Sequence, residues 1–73
     1  MVINSKHQVY HFPQQLKEAR KKAGISQIEL GGAIGVSVTS IYFYEIGKFY
    51  PRMGVMLKIF DFFKQHKISF RVS

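Results

Sequence analysis

The sequence predicts an all-α fold, a compact four-helix domain with a short C-terminal β-strand, and three observations support it. The chain has 73 residues with 47% apolar side chains, which is enough for one small core, since a chain of this size buries only about 60% of its unfolded surface. Apolar residues recur at helical spacing over residues 13–65, between residues that start and stop helices. Beyond them, apolar and polar residues alternate. We therefore expect an N-terminal arm or short strand at 1–12, the helical domain at 13–65 and a strand at 66–73.

The first helix is expected to begin at Pro13 and to stop at Gly24. Proline suits a first helical turn because its φ is already fixed and its missing N–H has no partner there. Leu16, Ala19 and Ala23 then share one face of the helix. Glycine adopts the left-handed conformation that ends a helix.

The next two helices have polar caps at their starts and glycines at their ends. Ser26 precedes the second helix, and Glu29 completes a capping box with it. Ser37 caps the third helix. Gly35 ends the second helix and Gly47 ends the third.

The fourth helix is expected to open at Pro51 and to carry apolar residues at core spacing. These core residues are Met53, Met56, Ile59, Phe60 and Phe63. Leu57 and Phe62 fall off this stripe and are candidates for a dimer or partner surface.

The second and third helices have the pattern of a helix-turn-helix, the motif whose second helix enters the major groove of DNA. Gly31 leaves room for a close helix crossing, and Gly35 permits a tight turn. Val36 fills the angle between the helices, and Ile41 returns to the same core. The third helix is therefore the candidate recognition helix.

The same segment resembles the lambda-repressor-like helix-turn-helix family of phage repressors, Cro proteins and xenobiotic-response-element (XRE-type) regulators. The resemblance covers residues 13–64, and Gly31 stands where the family usually has alanine. The matching residues are Ser26, Gln27, Glu29, Leu30, Gly35, Val36, Ser37, Ile41, Glu45 and Gly47. The resemblance implies a transcriptional repressor that binds double-stranded DNA.

The resemblance also implies roles for individual positions. Arg20 matches the first-helix arginine that pairs with a glutamate of the third helix, here Glu45. Gln27 matches a residue that binds a phosphate and braces the recognition helix, and Lys48 and Arg52 match positions that contact phosphates. The positions implied to face the bases are Ser37, Val38, Thr39, Ser40, Tyr42 and Phe43.

This base-facing set contains no Gln, Asn or Arg, the side chains that form bidentate contacts with adenine or guanine. Four side chains can instead pack against thymine methyl groups, namely Val38, Thr39, Tyr42 and Phe43. The hydroxyl groups of Thr39, Ser40 or Tyr42 can form single hydrogen bonds. Sequence preference would then depend on such contacts or on DNA shape. Contact of some of these aromatic side chains with protein is the alternative.

The C-terminal residues alternate so that Ile68, Phe70 and Val72 project to one side. A single strand needs a partner for its backbone groups, either the N-terminal segment of the same chain or the same strand of a second chain. The second arrangement forms a homodimer. Dimers are expected in any case, because they bind two half-sites of a palindromic operator about one helical turn apart.

A four-helix core followed by a terminal strand resembles the HipB-type antitoxins. This second resemblance implies a homodimer that represses its own operon and neutralises a HipA-like kinase toxin. The alternatives are a phage Cro-like repressor without a toxin partner, and a toxin-neutralising interaction module with weak DNA binding.

Composition argues against several other classes of protein. Eleven Lys and Arg against four Asp and Glu give a net charge of +7, which indicates an acidic partner. The lack of cysteine and of long apolar runs predicts a cytoplasmic, nucleoid-associated protein without a membrane segment. The few acidic residues offer no convincing catalytic pair, so we expect no enzyme activity and no cofactor. His7 and His11 lack a third ligand, so we expect no metal site.

Overall fold

The computed structural model describes residues 11–71. It contains four helices: α1 (Phe12–Ala23), α2 (Gln27–Ile34), α3 (Val38–Ile46) and α4 (Met53–Gln65). No β-strand occurs in this part of the chain. The predicted all-α, four-helix architecture is confirmed. The expectations for the N-terminal arm and for Val72 lie outside the described residues.

Short-range signals place most of the helix ends. α1, α2 and α3 each end at a glycine with positive φ, namely Gly24 at 74°, Gly35 at 80° and Gly47 at 79°. The start of α2 is fixed by the predicted capping box. Ser26 Oγ accepts the Glu29 main-chain N–H at 3.0 Å, and Glu29 Oε1 accepts the Ser26 N–H at 2.7 Å. These contacts satisfy two N–H groups that have no partner inside the helix.

Two helix starts differ from the prediction. α1 begins at Phe12, one residue before Pro13. α4 begins at Met53, with Arg52 as its N-cap, so Pro51 lies in the preceding loop. The ψ of Arg52 is 163°, which is extended, and the helix therefore cannot reach back to the proline.

A single core forms where the four helices meet. Its fully buried side chains come from every helix: Phe12, Leu16, Leu30, Ile41, Ile59 and Phe63. The core position predicted for Met53 is wrong, because this side chain is 72% exposed. Met53 lies one helical turn before Leu57, which is 57% exposed, and the two share the outer face of α4.

The chain turns back after α4 and packs against α1. Lys67 has a positive φ of 60°, and the Ile68 N–H donates to the Phe63 carbonyl at 2.9 Å. The ring of Phe70 then lies 6.0 Å from Phe12 and 5.6 Å from Phe63, measured between ring centroids. The apolar side of the predicted strand therefore covers the core of its own chain.

The side chain of Gln15 anchors this C-terminal segment. Gln15 Nε2 donates to the Arg71 carbonyl at 2.9 Å, and Gln15 Oε1 accepts the Arg71 N–H at 2.8 Å. A side-chain amide thus takes the place of one residue of a partner strand. The predicted alternation of half-buried and exposed side chains is present, with Ile68 and Phe70 half-buried. The predicted strand is not, because residues 66 and 67 form a turn and residues 68–71 are not a β-strand.

Candidate nucleic-acid interface

The turn between α2 and α3 brings the two helices into close contact. The Gly31 carbonyl accepts N–H groups from Gly35 at 2.8 Å and from Val36 at 2.9 Å. A Cβ atom at Gly31 would lie 2.6 Å from the Val36 carbonyl oxygen, closer than real Cβ atoms come to a neighbour. The absence of a side chain at Gly31 therefore allows the Val36 carbonyl to approach α2 this closely in this chain.

A buried polar cluster holds the inner side of α3. Arg20 of α1 donates to Glu45 of α3 through Nε at 2.7 Å and through its second terminal nitrogen at 3.2 Å. Gln27 of α2 donates to the same carboxylate at 3.0 Å, and Arg20 also donates to the Ile25 carbonyl at 2.9 Å. The structure thus brings Arg20, Gln27 and Glu45 together. Three helices are tied at one carboxylate, which fixes the orientation of α3.

The outer side of α3 is exposed and carries no charge. Val38 and Tyr42 are 41% and 48% exposed, Thr39 is exposed as well, and Phe43 is half-buried. These residues follow helical spacing and share one face. The residues that the resemblance assigns to base contacts therefore lie mostly on the exposed part of α3, beside the buried cluster.

The two serines at the start of α3 are engaged with each other. Ser37 Oγ accepts the Ser40 main-chain N–H at 3.1 Å, which caps the helix, and donates to Ser40 Oγ at 3.0 Å. Both hydroxyl groups therefore already take part in hydrogen bonds at the N-terminal cap of α3. A base contact from either serine would compete with this arrangement.

Lys48 lies beside aromatic rings just beyond the end of α3. Its Nζ is 4.9 Å from the centroid of the Phe43 ring and 6.0 Å from that of Phe49. The two rings meet edge to face at 5.3 Å. This arrangement holds a cation next to the exposed face of α3. Arg52 is exposed at the start of α4, and its side chain does not cap that helix.

Three exposed apolar residues at and just after the end of α3 are not among the predicted site residues. They are Ile46, Phe49 and Tyr50, each more than half exposed. Phe49 and Tyr50 follow one another between Gly47 and Pro51, in a loop too short to bury both rings. Two adjacent aromatic residues in so short a loop could have predicted this exposed apolar surface from the sequence.

The predicted interaction residues elsewhere lie in different environments. Leu57 is exposed on α4, as expected. Phe62 is half-buried, with its ring centroid 5.0 Å from Phe63 and 4.5 Å from His66. Of the three residues predicted for dimerisation, Ile68 and Phe70 pack partly on their own core and Val72 lies outside the described residues.

Residues 11–71 contain neither a metal-binding cluster nor a membrane-spanning helix. No group of three or more His, Cys, Asp or Glu side chains there could hold a metal ion. None of the helices in this range has the length and hydrophobicity to cross a membrane.

Comparison with known proteins agrees with this geometry. A family model described as helix-turn-helix matches residues 16–66, which is more than half of the chain. No curated protein matches the sequence. The matched range includes both helices of the motif, the Arg20–Glu45 ion pair and α4. The chain therefore belongs to the XRE- and Cro-like helix-turn-helix family of DNA-binding transcription regulators.

Proposed function

We propose that the chain is a transcriptional repressor that binds operator DNA with α3 in the major groove. The observation that carries this proposal is the difference between the two sides of α3. The inner side is fixed by the Arg20–Glu45–Gln27 cluster, and the outer side presents exposed side chains. A helix held in this way inserts into DNA without losing much conformational freedom on binding. The proposed base-facing residues are Ser37, Val38, Thr39, Ser40, Tyr42 and Phe43.

Phosphate contacts are assigned to cations and main-chain groups around α3. Lys48 and Arg52 lie on the loop after α3, and both are exposed. Gln27 Nε2 donates one of its two N–H groups to Glu45, so its proposed phosphate contact comes from the second N–H or from the main-chain N–H at the start of α2. The net charge of +7 adds long-range attraction to the DNA backbone.

We further propose that the repressor acts as a homodimer on a palindromic operator, with the C-terminal segments of two chains paired. The main-chain groups of Arg71 bond to Gln15, whereas those of Phe70 have no hydrogen-bond partner among the described residues. Because successive residues of an extended chain present their main-chain groups to opposite edges, one edge remains available for a second copy. Ile68, Phe70 and Val72 are the proposed contact residues.

The finer proposal of a HipB-type antitoxin rests on the order of elements, four helices followed by a short extended segment. Neutralisation of a HipA-like kinase toxin would be its second activity. The competing assignments are a Cro-like repressor without a toxin partner and a toxin-neutralising module with weak DNA binding. Purification of the chain together with the product of a neighbouring kinase-like gene supports the antitoxin role, and a neighbourhood without such a gene contradicts it.

Binding to the DNA upstream of the chain's own gene tests the repressor proposal. Electrophoretic mobility shifts are measured at about 50 and about 200 mM salt, with unrelated DNA of the same length as competitor. We expect a specific shift that weakens steeply at the higher salt concentration. Tyr42→Ala should weaken the specific shift, while the matched surface variant Ile28→Ala on α2 should not. No specific shift at either concentration contradicts the proposal.

A further inference from the structure

The outer face of α3 lacks the side chains that distinguish bases by paired hydrogen bonds. Its sequence, VTSIYFYEI, contains no Asn, Gln, Arg or Lys. The one carboxylate, Glu45, is 3% exposed and bonded to Arg20 and Gln27. Bidentate contacts to adenine or guanine are therefore not available from this helix.

The hydroxyl groups on this face discriminate weakly between bases. Ser37 and Ser40 are bonded to each other, and Thr39 and Tyr42 add two further exposed hydroxyls. A hydroxyl both donates and accepts, so it fits the amino groups of adenine and cytosine as well as the carbonyl groups of guanine and thymine. These hydroxyl groups alone would therefore distinguish poorly between the four bases.

The exposed apolar side chains can distinguish one feature of the major groove. Each base pair presents polar atoms there, but only the pairs that contain thymine also present a C5-methyl group. Val38 and Tyr42 are both more than 40% exposed, and Phe43 lies beside Tyr42 with ring centroids 5.7 Å apart. A methyl group placed against this face loses its contact with water and gains van der Waals contacts.

We propose that the exposed face of α3 selects pyrimidines that carry a C5-methyl group, preferring thymine to uracil and 5-methylcytosine to cytosine. The inference rests on the proposed insertion of α3 into the major groove. It gives methylation of cytosine a defined effect, since the methyl group converts an unfavourable G·C pair into a ligand for this face. The bases themselves keep their hydrogen-bonding groups, so the methyl is the only difference between the compared ligands.

The test begins with the selection of bound sequences from a random duplex pool. In the selected duplex each thymine is then replaced singly by deoxyuridine, and dissociation constants are compared by fluorescence anisotropy. We expect a loss of about fourfold for each contacted methyl group inside the half-sites, and no loss in the flanks. At a contacted position, 5-methylcytosine should bind about fourfold more tightly than cytosine.

Protein variants identify the side chains that are responsible. Val38→Ala should bring the thymine-to-uracil ratio at its contacted position towards one, and Ile28→Ala on α2 should leave the ratio unchanged. Tyr42→Phe keeps the ring and removes the hydroxyl, so the preference should survive. Thermal unfolding of each variant verifies its fold.

Equal affinity for thymine and uracil at every half-site position overturns the inference while the repressor proposal stands. Loss of the preference in Tyr42→Phe also overturns it, because the hydroxyl would then be the selecting group. If the pool yields no bound sequence, the proposed function fails, and the inference fails with it.

Discussion

Glu45 accepts hydrogen bonds from two side chains of two different helices while lying almost fully out of solvent. Removing one partner of such a group leaves the other charge without compensation in a poorly solvated place. We expect Glu45→Ala to lower the free energy of unfolding by about 3 kcal/mol, because Arg20 and Gln27 both lose their acceptor. Urea denaturation of the full chain measures this loss.

The control for this experiment is Lys21→Ala, an exposed substitution on the same helix as Arg20. It should change the free energy of unfolding by less than about 0.5 kcal/mol. A Glu45→Ala variant whose denaturation midpoint equals that of the parent chain would show that the cluster does not hold α3.

Gly31 and its neighbour Gly32 offer a matched pair of tests. Alanine favours a helix by about 1 kcal/mol over glycine, and the family usually has alanine at position 31. At Gly31, however, a Cβ would meet the Val36 carbonyl oxygen at 2.6 Å, whereas at Gly32 nothing lies within 4 Å. We expect Gly31→Ala to lower the free energy of unfolding by about 1–2 kcal/mol and Gly32→Ala to raise it by up to about 1 kcal/mol. Equal denaturation midpoints for the two variants would contradict the close contact at the turn.

The helices themselves could be predicted from the sequence because their ends depend on nearby residues. A serine with a glutamate three positions later, or a glycine after an apolar run, acts within one helical turn. The family pattern likewise indicated the Arg20–Glu45 pair, which the structure contains. The exposure of Met53 was not accessible in this way, since helical spacing predicts a stripe along α4 but not how far along it the other helices pack. The attachment of Gln15 to Arg71 joins residues 56 positions apart, and no local pattern indicates it.

The docking of the C-terminal segment leads to a prediction for this element. Phe70 contacts the rings of Phe12, Phe60 and Phe63 and is half-buried in the single chain. We expect Phe70→Ala to lower the free energy of unfolding by about 2 kcal/mol, less than for a fully buried phenylalanine. Denaturant unfolding at a low and a high protein concentration measures this loss.

The control is Ser69→Ala, an exposed neighbour that should have little effect. If the segment docks on its own chain, Phe70→Ala should lower the free energy of unfolding at the low protein concentration as well. A loss present only at high concentration would assign the contribution of Phe70 to the dimer and not to its own chain.

At the scale of the whole molecule, the positive charge lies outside the proposed recognition face of α3. The chain has eleven Lys and Arg, but the exposed face of α3 has none of them. Arg20 is used inside the fold, while Lys48 and Arg52 are exposed next to α3. In the proposed mode of binding, the cations supply attraction to any DNA, and the uncharged face of α3 selects the sequence.

This separation predicts how salt affects DNA binding. Each phosphate that a cation neutralises contributes about −0.9 to the slope of log K against log salt concentration. Lys48→Gln and Arg52→Gln should each make the slope less steep by about 0.9 and should weaken binding to all sequences alike. Lys64→Gln makes the same change of charge in the last turn of α4, about 18 Å along the helix from Arg52, and should leave the slope unaltered. If all three variants shift the slope equally, the cations act through overall charge and not through contacts beside α3.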